Sequence, residues 1–376
     1  MGNQINVFES AATPAVHPGE MISEYLEFNG WSQRDLHRRT GLTPKLISEI
    51  CSGKAPITPP TALALEKVFK RPAHFWLNLQ RRYDEAQARV GLAAKISQWQ
   101  EWVKQFPLRE MRRYEWLAKS EPSTSDVDVL LDFFGVSSPS SWHAVWKASR
   151  VAYRQTRKFL TTDEAVSAWV RQTELEAGDL DVEFKEFDEK RLRESLGELR
   201  KLTKESFAKF IPRVQSICAA SGVAVVWVPA LPHTGISGCA RWLTDRKALI
   251  GLTLRYKWDH EMWFTFFHEC GHLLLHGREH DFVVDNPTED MTDRVIDPHM
   301  QKHEEEANRF AADTLIAPKA LAEFLAKGDF SNEAVLKFAT KEEIGPGIVI
   351  GRLRQEGLLE YYQGTKLMRK FDWDYK

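Results

Sequence analysis

The stretch FTFFHECGHLLLHG (264–277) constrains this chain more than any other feature. His268 and His272 are four residues apart, so on an α-helix both imidazoles project from one face. Two imidazoles so placed can share one Zn²⁺ at ~2.0–2.1 Å. Glu269 sits beside the first histidine, where its carboxylate can take a proton from a zinc-activated water and return it to a leaving amine. The surrounding apolar residues require a long buried helix, and the metal requires a third ligand from elsewhere.

The third ligand should be acidic or a histidine on a neighbouring helix. His276 is one turn beyond the metal that His268 and His272 would share. Leu275 and Gly277 do not fit the alternative spacing HExxHxxGxxH. HEEEANRFAADTLIAP (303–318) fits better: Glu304 and Asn308 are i and i+4, and Ala307, Phe310, Ala311 and Leu315 give the same helix a packing face. Glu304 then completes a His₂Glu site with an open position for water, and Asn308 holds a ligand histidine by a hydrogen bond. Glu305 and Glu306 are expected in solvent, Glu305 being the ligand only if the register is one residue out. Cys270 lies roughly 200° around the helix from each histidine and should point into the core. His276 and His303 are expected to support the site rather than bind metal.

Around this motif the pattern is α+β. GVAVVWVPAL (222–231) and KALIGLTL (247–254) are β-branched, apolar and bounded by Gly or Pro, so both read as strands. The second is a candidate edge to which an extended substrate could add. Helical spacing follows over about 259–276, 302–315 and 333–356. Residues 95–220 are helical and rich in tryptophan, with loops expected at EPSTSD (121–126) and SSPSS (137–141) and an N-cap at Thr162.

The 376 residues suggest two or three domains at ~150 each. A net charge of −2, with 43% hydrophobic and 28% charged residues, excludes a disordered chain, a collagen-like repeat and a globally basic nucleic-acid coat. The sequence shows no apolar run of ~18 residues, so no membrane span is expected. MGNQINVFESAATPAV lacks the features of a signal peptide, and Asn6 stands where myristoylation needs Ser or Thr. Cys51, Cys218, Cys239 and Cys270 are widely separated, which fits reduced thiols in the cytoplasm.

Charge is concentrated near the start. Residues 1–30 hold four acids and no Lys or Arg, whereas residues 31–92 hold eleven Lys or Arg against five Asp or Glu. That excess marks an anion-facing surface or a solvated one. Within it, WSQRDLHRRTGLTPKLISEICSGK (31–54) predicts a helix over 32–39, a turn at Gly41 and a helix over 43–52. Leu36, Leu42, Ile47 and Ile50 join the two, with Thr43 as cap and Pro44 in the first turn. Met21, Ile22, Tyr25 and Leu26 form one flanking stripe; Leu63, Leu65, Val68 and Phe69 form another. Lys45 and Ser48 project from the face away from Ile47 and Ile50, as groove-facing residues do in a helix-turn-helix.

This stretch, with HPGE (17–20) and PAHFWLNLQRRYD (72–84), resembles the Cro/repressor-type helix-turn-helix of HigA-type antitoxins. The resemblance implies that Ser32, Gln33, Thr43, Lys45, Ser48 and Lys54 face operator double-stranded DNA, in a homodimer reading paired half-sites. FTFFHECGHLLLHG and EEEANRFAADTLIAP together resemble the ImmA/IrrE family of zinc metallopeptidases, although Cys270 stands where that family usually has Leu. IGPGIVIGRLRQEGLLEYYQGTKLMRKFDW (344–373) is similar to the C-terminal segment of chains that fuse such a peptidase to a helix-turn-helix. The implied layout is a DNA-binding domain at 1–92, a helical connector at 93–221, a zincin-like core at 222–330 and a C-terminal segment at 331–376. The implied activity is limited cleavage of a protein substrate: a repressor, an antitoxin or toxin partner, or the chain itself. The competing reading is a non-catalytic antitoxin or repressor whose zincin domain senses a signal or holds a toxin. Retention of Glu269 favours chemistry. Tyr256, His260 and Arg241 are near the motif, but none is assigned to stabilise an oxyanion.

Overall fold

The structure, a computed structural model, describes residues 15–117, 124–147, 162–232, 234–253, 258–278, 283–285 and 298–371. Tyr256 and the first half of the expected loop at 121–126 (residues 121–123) lie outside them. Two compact units meet at Trp99/Gln100.

The first unit is helical: α1 (Pro18–Phe28), α2 (Gln33–Thr40), α3 (Pro44–Cys51), α4 (Pro59–Phe69) and α5 (Ala73–Gln98). Local chemistry sets each start. His17 Nδ1 accepts from the Gly19 N–H at 2.9 Å while Pro18 fills the first helical position, which explains HPGE. A Cβ at Gly19 would collide with the Ile50 carbonyl, so the glycine lets α1 approach α3. Ser32 and Asp35 form a capping box on α2, and the Ser32 hydrogen bonds hold the Asp35 carboxyl below its usual range. Gly41, at φ 72°, ends α2 in the left-handed conformation that glycine adopts freely. Thr43 accepts from the Leu46 N–H to start α3.

Ile22, Leu36, Ile47, Ile50, Leu65 and Trp76 are fully buried in this unit's core, each such side chain contributing about 1.5–3 kcal/mol. Leu42 is half-buried and packs on that core. Leu63, expected in the packing stripe, is 55% exposed; α4 turns Ala62, Leu65 and Phe69 inward instead. The domain boundary expected at 92/93 falls within α5.

The second unit begins with α6 (Gln100–Val103), α7 (Leu108–Arg113), α8 (Asp126–Phe134) and α9 (Pro139–Lys147). Trp102, Phe106, Phe134 and Trp142 meet there in mostly edge-on ring contacts. The loop expected at 137–141 is shorter than that, because Ser138 accepts from the Ser141 N–H and α9 is already helical from Pro139. Helices α10 (Asp163–Gly178), α11 (Glu189–Lys201) and α12 (Phe207–Ala219) follow. Thr162 caps α10 through the Ala165 N–H.

The sheet comprises β1 (Val223–Trp227), β2 (Gly238–Thr244), β3 (Lys247–Leu252) and β4 (Val283–Asp285), in the order β1-β3-β2-β4. β1 and β3 are parallel, and the other pairs are antiparallel. The strand at 247–254, expected as a docking edge, is therefore interior: β3 pairs with β1 on one side and β2 on the other, leaving no backbone groups for an added strand.

Helix α10 covers one face of the sheet. Trp169 donates to the Val228 carbonyl, and Thr173 occupies the space a Cβ would need at Gly251. Val225, Ala240 and Ile250 on the other face pack with residues of α12 and of α13 (Asp259–Leu275). Helices α14 (Pro298–Leu315), α15 (Pro318–Leu325), α16 (Asn332–Lys341) and α17 (Pro346–Gln355) complete this core. Arg369 anchors the tail by pairing with buried Asp259 at 3.1 Å, at the first residue of α13. Among the described residues, no helix is long and apolar enough to cross a membrane.

Candidate metal centre

Helix α13 is buried on nearly every side because it lies between the sheet and α14 and also touches α17. Its close approach to α14 depends on small residues. A Cβ at Gly271 would sit 3.2 Å from Ala307 Cα and 3.1 Å from the Phe310 ring, tighter than ordinary packing. That contact brings the acidic run of α14 over the two histidines.

His268 and His272 are 0% and 3% exposed, and their Nε2 atoms face each other at 2.8 Å. Glu304 approaches them with one oxygen 3.3 Å from His268 Nε2 and the other 3.6 Å from His272 Nε2. Asn308 Oδ1 is 3.0 Å from His268 Nδ1 and accepts its proton, which leaves the His268 Nε2 lone pair directed at His272 and Glu304. Donor atoms of His268, His272 and Glu304 thus converge within 4.8 Å. Two imidazole nitrogens and a carboxylate so arranged suit a cation between them, and the N₂O set matches zinc chemistry.

Glu305 is exposed and accepts from Gln301, whereas Glu304 is buried among the histidines, so of the two only Glu304 faces them. Glu306, expected in solvent, is half-buried and accepts from His276 at 3.1 Å. That bond, aided by Lys302, holds its carboxyl below the usual range. His276 lies past the triad, its Nδ1 3.1 Å from His272 Nδ1, and its ring stacks on His303 with centroids 4.0 Å apart. Cys270 is fully buried in the core, and burial pushes its thiol well up. All four cysteines are free.

Glu269 is fully buried. Sequence reasoning missed the residue that makes room for it. A Cβ at Gly238 would lie 2.8 Å from the Glu269 carboxylate and 2.6 Å from the Thr265 methyl. A glycine inside a strand is the available signal, since it often marks close approach by another group.

Arg241 points to the opposite face of the sheet and pairs with Glu174 of α10. His260 lies in the first turn of α13 and, with Glu261, Phe264, Ile316, Ile348 and Arg354, lines a cavity of about 290 Å³. Burial lowers His260 to about 4 and raises Glu261 to about 7, with Arg354 opposing the rise.

In the first unit, Ser32, Gln33, Thr43, Lys45, Ser48 and Lys54 are all exposed. Ser32 and Thr43 also cap α2 and α3. Lys45 is 3.8 Å from Glu49 with its side chain 84% exposed, a pairing worth only about 0.3–0.5 kcal/mol, so the ammonium is available to a stronger anion.

Residues 22–76 match the helix-turn-helix family and residues 252–353 match the IrrE N-terminal-like domain. Among similar proteins is virulence-associated protein I of Dichelobacter nodosus, 42% identical over 72 residues, which are 19% of this chain and 67% of that protein. Another is the uncharacterized HTH-type transcriptional regulator YddM of Escherichia coli, 35% identical over 19% of this chain and 76% of its own length. A solved structure of a HigA-family addiction module antidote protein from Coxiella burnetii is 34% identical, covering 23% of this chain and 95% of that one, with a TM-score of 0.22. PA4674 of Pseudomonas aeruginosa, solved with its operator DNA, is 30% identical over 20% of this chain and 83% of its own, with a TM-score of 0.20. The chain therefore belongs to the Cro/repressor-type helix-turn-helix family through residues 22–76, and its residues 252–353 form an IrrE N-terminal-like domain, similar to the ImmA/IrrE peptidases.

Proposed function

We propose that this protein is a cytoplasmic zinc endopeptidase that its helix-turn-helix places at an operator, where it cleaves a regulatory protein. The substrate is a repressor, an antitoxin-like partner or the chain itself, and the outcome is control of transcription or of a toxin–antitoxin or stress response. One observation carries this reading: His268, His272 and Glu304 converge from two helices while Glu269 is buried beside them.

Zinc, when bound, supplies Lewis acidity that polarises a peptide carbonyl and makes water a nucleophile near neutral pH. His268, His272 and Glu304 would hold it, with Asn308 fixing the His268 ring. Glu269 takes the proton of the attacking water and delivers it to the departing nitrogen. Gln33, Lys45, Ser48 and Lys54 present donors to base edges and phosphates, and the caps Ser32 and Thr43 set the helix termini that approach the backbone. A homodimer would place two such helices on paired half-sites.

The test compares wild type with Glu269→Gln, each expressed beside the genes flanking its locus, with zinc quantified and new protein termini mapped. One zinc per chain in both proteins, and a cut made only by wild type, is the expected result. Zinc without any cut under induced stress would replace this reading with a regulator that uses the zincin domain as a scaffold.

A further inference from the structure

We propose that His276 and Glu306 form a positioning relay that sets the tautomer and ring orientation of His272. This inference rests on the metal-binding reading of His268, His272 and Glu304.

With a metal on His272 Nε2, one proton assignment satisfies the contacts between His272, His276 and Glu306. His272 Nε2 faces His268 Nε2 and Glu304, so binding metal there requires a lone pair on Nε2 and the proton on Nδ1. That Nδ1–H is 3.1 Å from His276 Nδ1, which must then accept. The proton of neutral His276 is left on Nε2, 3.1 Å from Glu306 Oε2, and an ionised carboxylate accepts it. The reverse polarity would put the His272 proton on Nε2, among the other donor atoms, where it blocks the metal. His303 stacks on the His276 ring and limits its rotation.

The two histidines of the motif thus differ in how they are held. Asn308 holds His268 through one link, whereas His272 is held through two, and both chains end on α14. The Glu304 helix therefore contributes a ligand, the acceptor behind His268 and the carboxylate that ends the His272 relay.

His276, His303 and Glu306 also bring donor atoms within 4.8 Å of one another. A cation of their own is the competing arrangement, and it would divert His276 from His272.

The experiment uses the full-length protein and measures zinc per chain, zinc affinity by chelator competition, and the visible spectrum of the Co²⁺ form. The variants are His276→Leu, His276→Asn and Glu306→Gln. Leu removes the acceptor, while the Asn carboxamide oxygen, attached at the same carbon as Nδ1, can replace it. The relay predicts one zinc per chain in wild type and a loss of about 10–100-fold in affinity in His276→Leu, with altered cobalt bands. His276→Asn should recover most of that loss. Glu306→Gln, which keeps an acceptor without the charge, should lose only a few-fold. Wild-type affinity in His276→Leu, or a His276→Asn no better than His276→Leu, overturns the relay alone. Two zinc ions in wild type falling to one in His276→Leu assigns the cluster to a second metal instead. No zinc in wild type overturns the triad reading first and the relay with it.

Discussion

The two candidate sites of this chain are built in opposite ways. The helix-turn-helix presents its exposed candidate contacts on two eight-residue helices, at the caps that start them and just past the end of α3. The candidate metal centre assembles buried groups from α13 and α14, its nearest members His272 and Glu304 lying 32 positions apart in the chain, and depends on Gly271 and Ala307 to bring those helices together. An exposed site needs local spacing and a stable helix. A buried one also needs every neighbour to leave the right space and accept the right proton. Substitutions should therefore act locally in the first and propagate in the second.

The largest expected effect is at Glu269. Glu269→Gln removes the general base without changing shape and should slow cleavage about 10²–10⁴-fold while one zinc per chain is retained. Operator affinity, measured by mobility shift, should not change. Cleavage at the wild-type rate would remove Glu269 from the chemistry.

Gly238→Ala tests propagation from a residue that binds nothing. The added methyl must displace the Glu269 carboxylate or the Thr265 methyl, and overpacking of this kind costs about 1–3 kcal/mol. Both the urea midpoint and the turnover number should fall. A variant with unchanged stability and turnover would show that β2 and α13 separate easily, so that burial at Glu269 is not tightly specified.

On the exposed side, Lys45→Ala with Ser48→Ala should weaken operator binding by about 1–3 kcal/mol and flatten its salt dependence. Peptidase activity on a free substrate should be untouched. Unchanged DNA affinity would mean that α3 does not enter the groove.

The same contrast explains what the sequence could reveal. Helices α2, α3, α13 and the ligand-bearing part of α14 were readable because each follows a 3.6-residue period with its own caps or a long apolar face. Ala307 and Ala311 favoured Glu304 in the sequence, and the contact of α14 with α13 is what places Glu304 rather than Glu305 against the histidines. β2 was not readable: Arg241 interrupts its apolar pattern, and its pairing with Glu174 on α10, distant in the chain, helps accommodate that charge between layers. Missing β2 made β3 look like an edge. The role of Gly238, whose signal depends on recognising β2, and the pairing of His276 with Glu306 were missed for the same reason, since each has meaning only through a residue distant in the chain.

The smallest effect comes from Glu261, which shares the burial of the metal centre but not its converging donors. Its carboxyl is raised from 4.5 to about 7 by burial, so the folded state favours the protonated form. The stability this contributes is fully present below pH 4.5 and is lost as pH rises through 7. Solvent still screens part of the side chain, which limits the effect to about 1–2 kcal/mol. His260, lowered from 6.5 to about 4, acts in the other direction, because its contribution is present above pH 6.5 and is lost as pH falls through 4. The two offset each other in wild type between pH 4.5 and 6.5. Glu261→Gln removes one side of that balance. Urea unfolding across this range should show the variant gaining stability with rising pH while wild type stays flatter. Parallel curves for the two proteins would mean that Glu261 is ionised and solvated in the folded state. Burial in the first turns of α13 would then differ in kind from burial at His268 and Glu269.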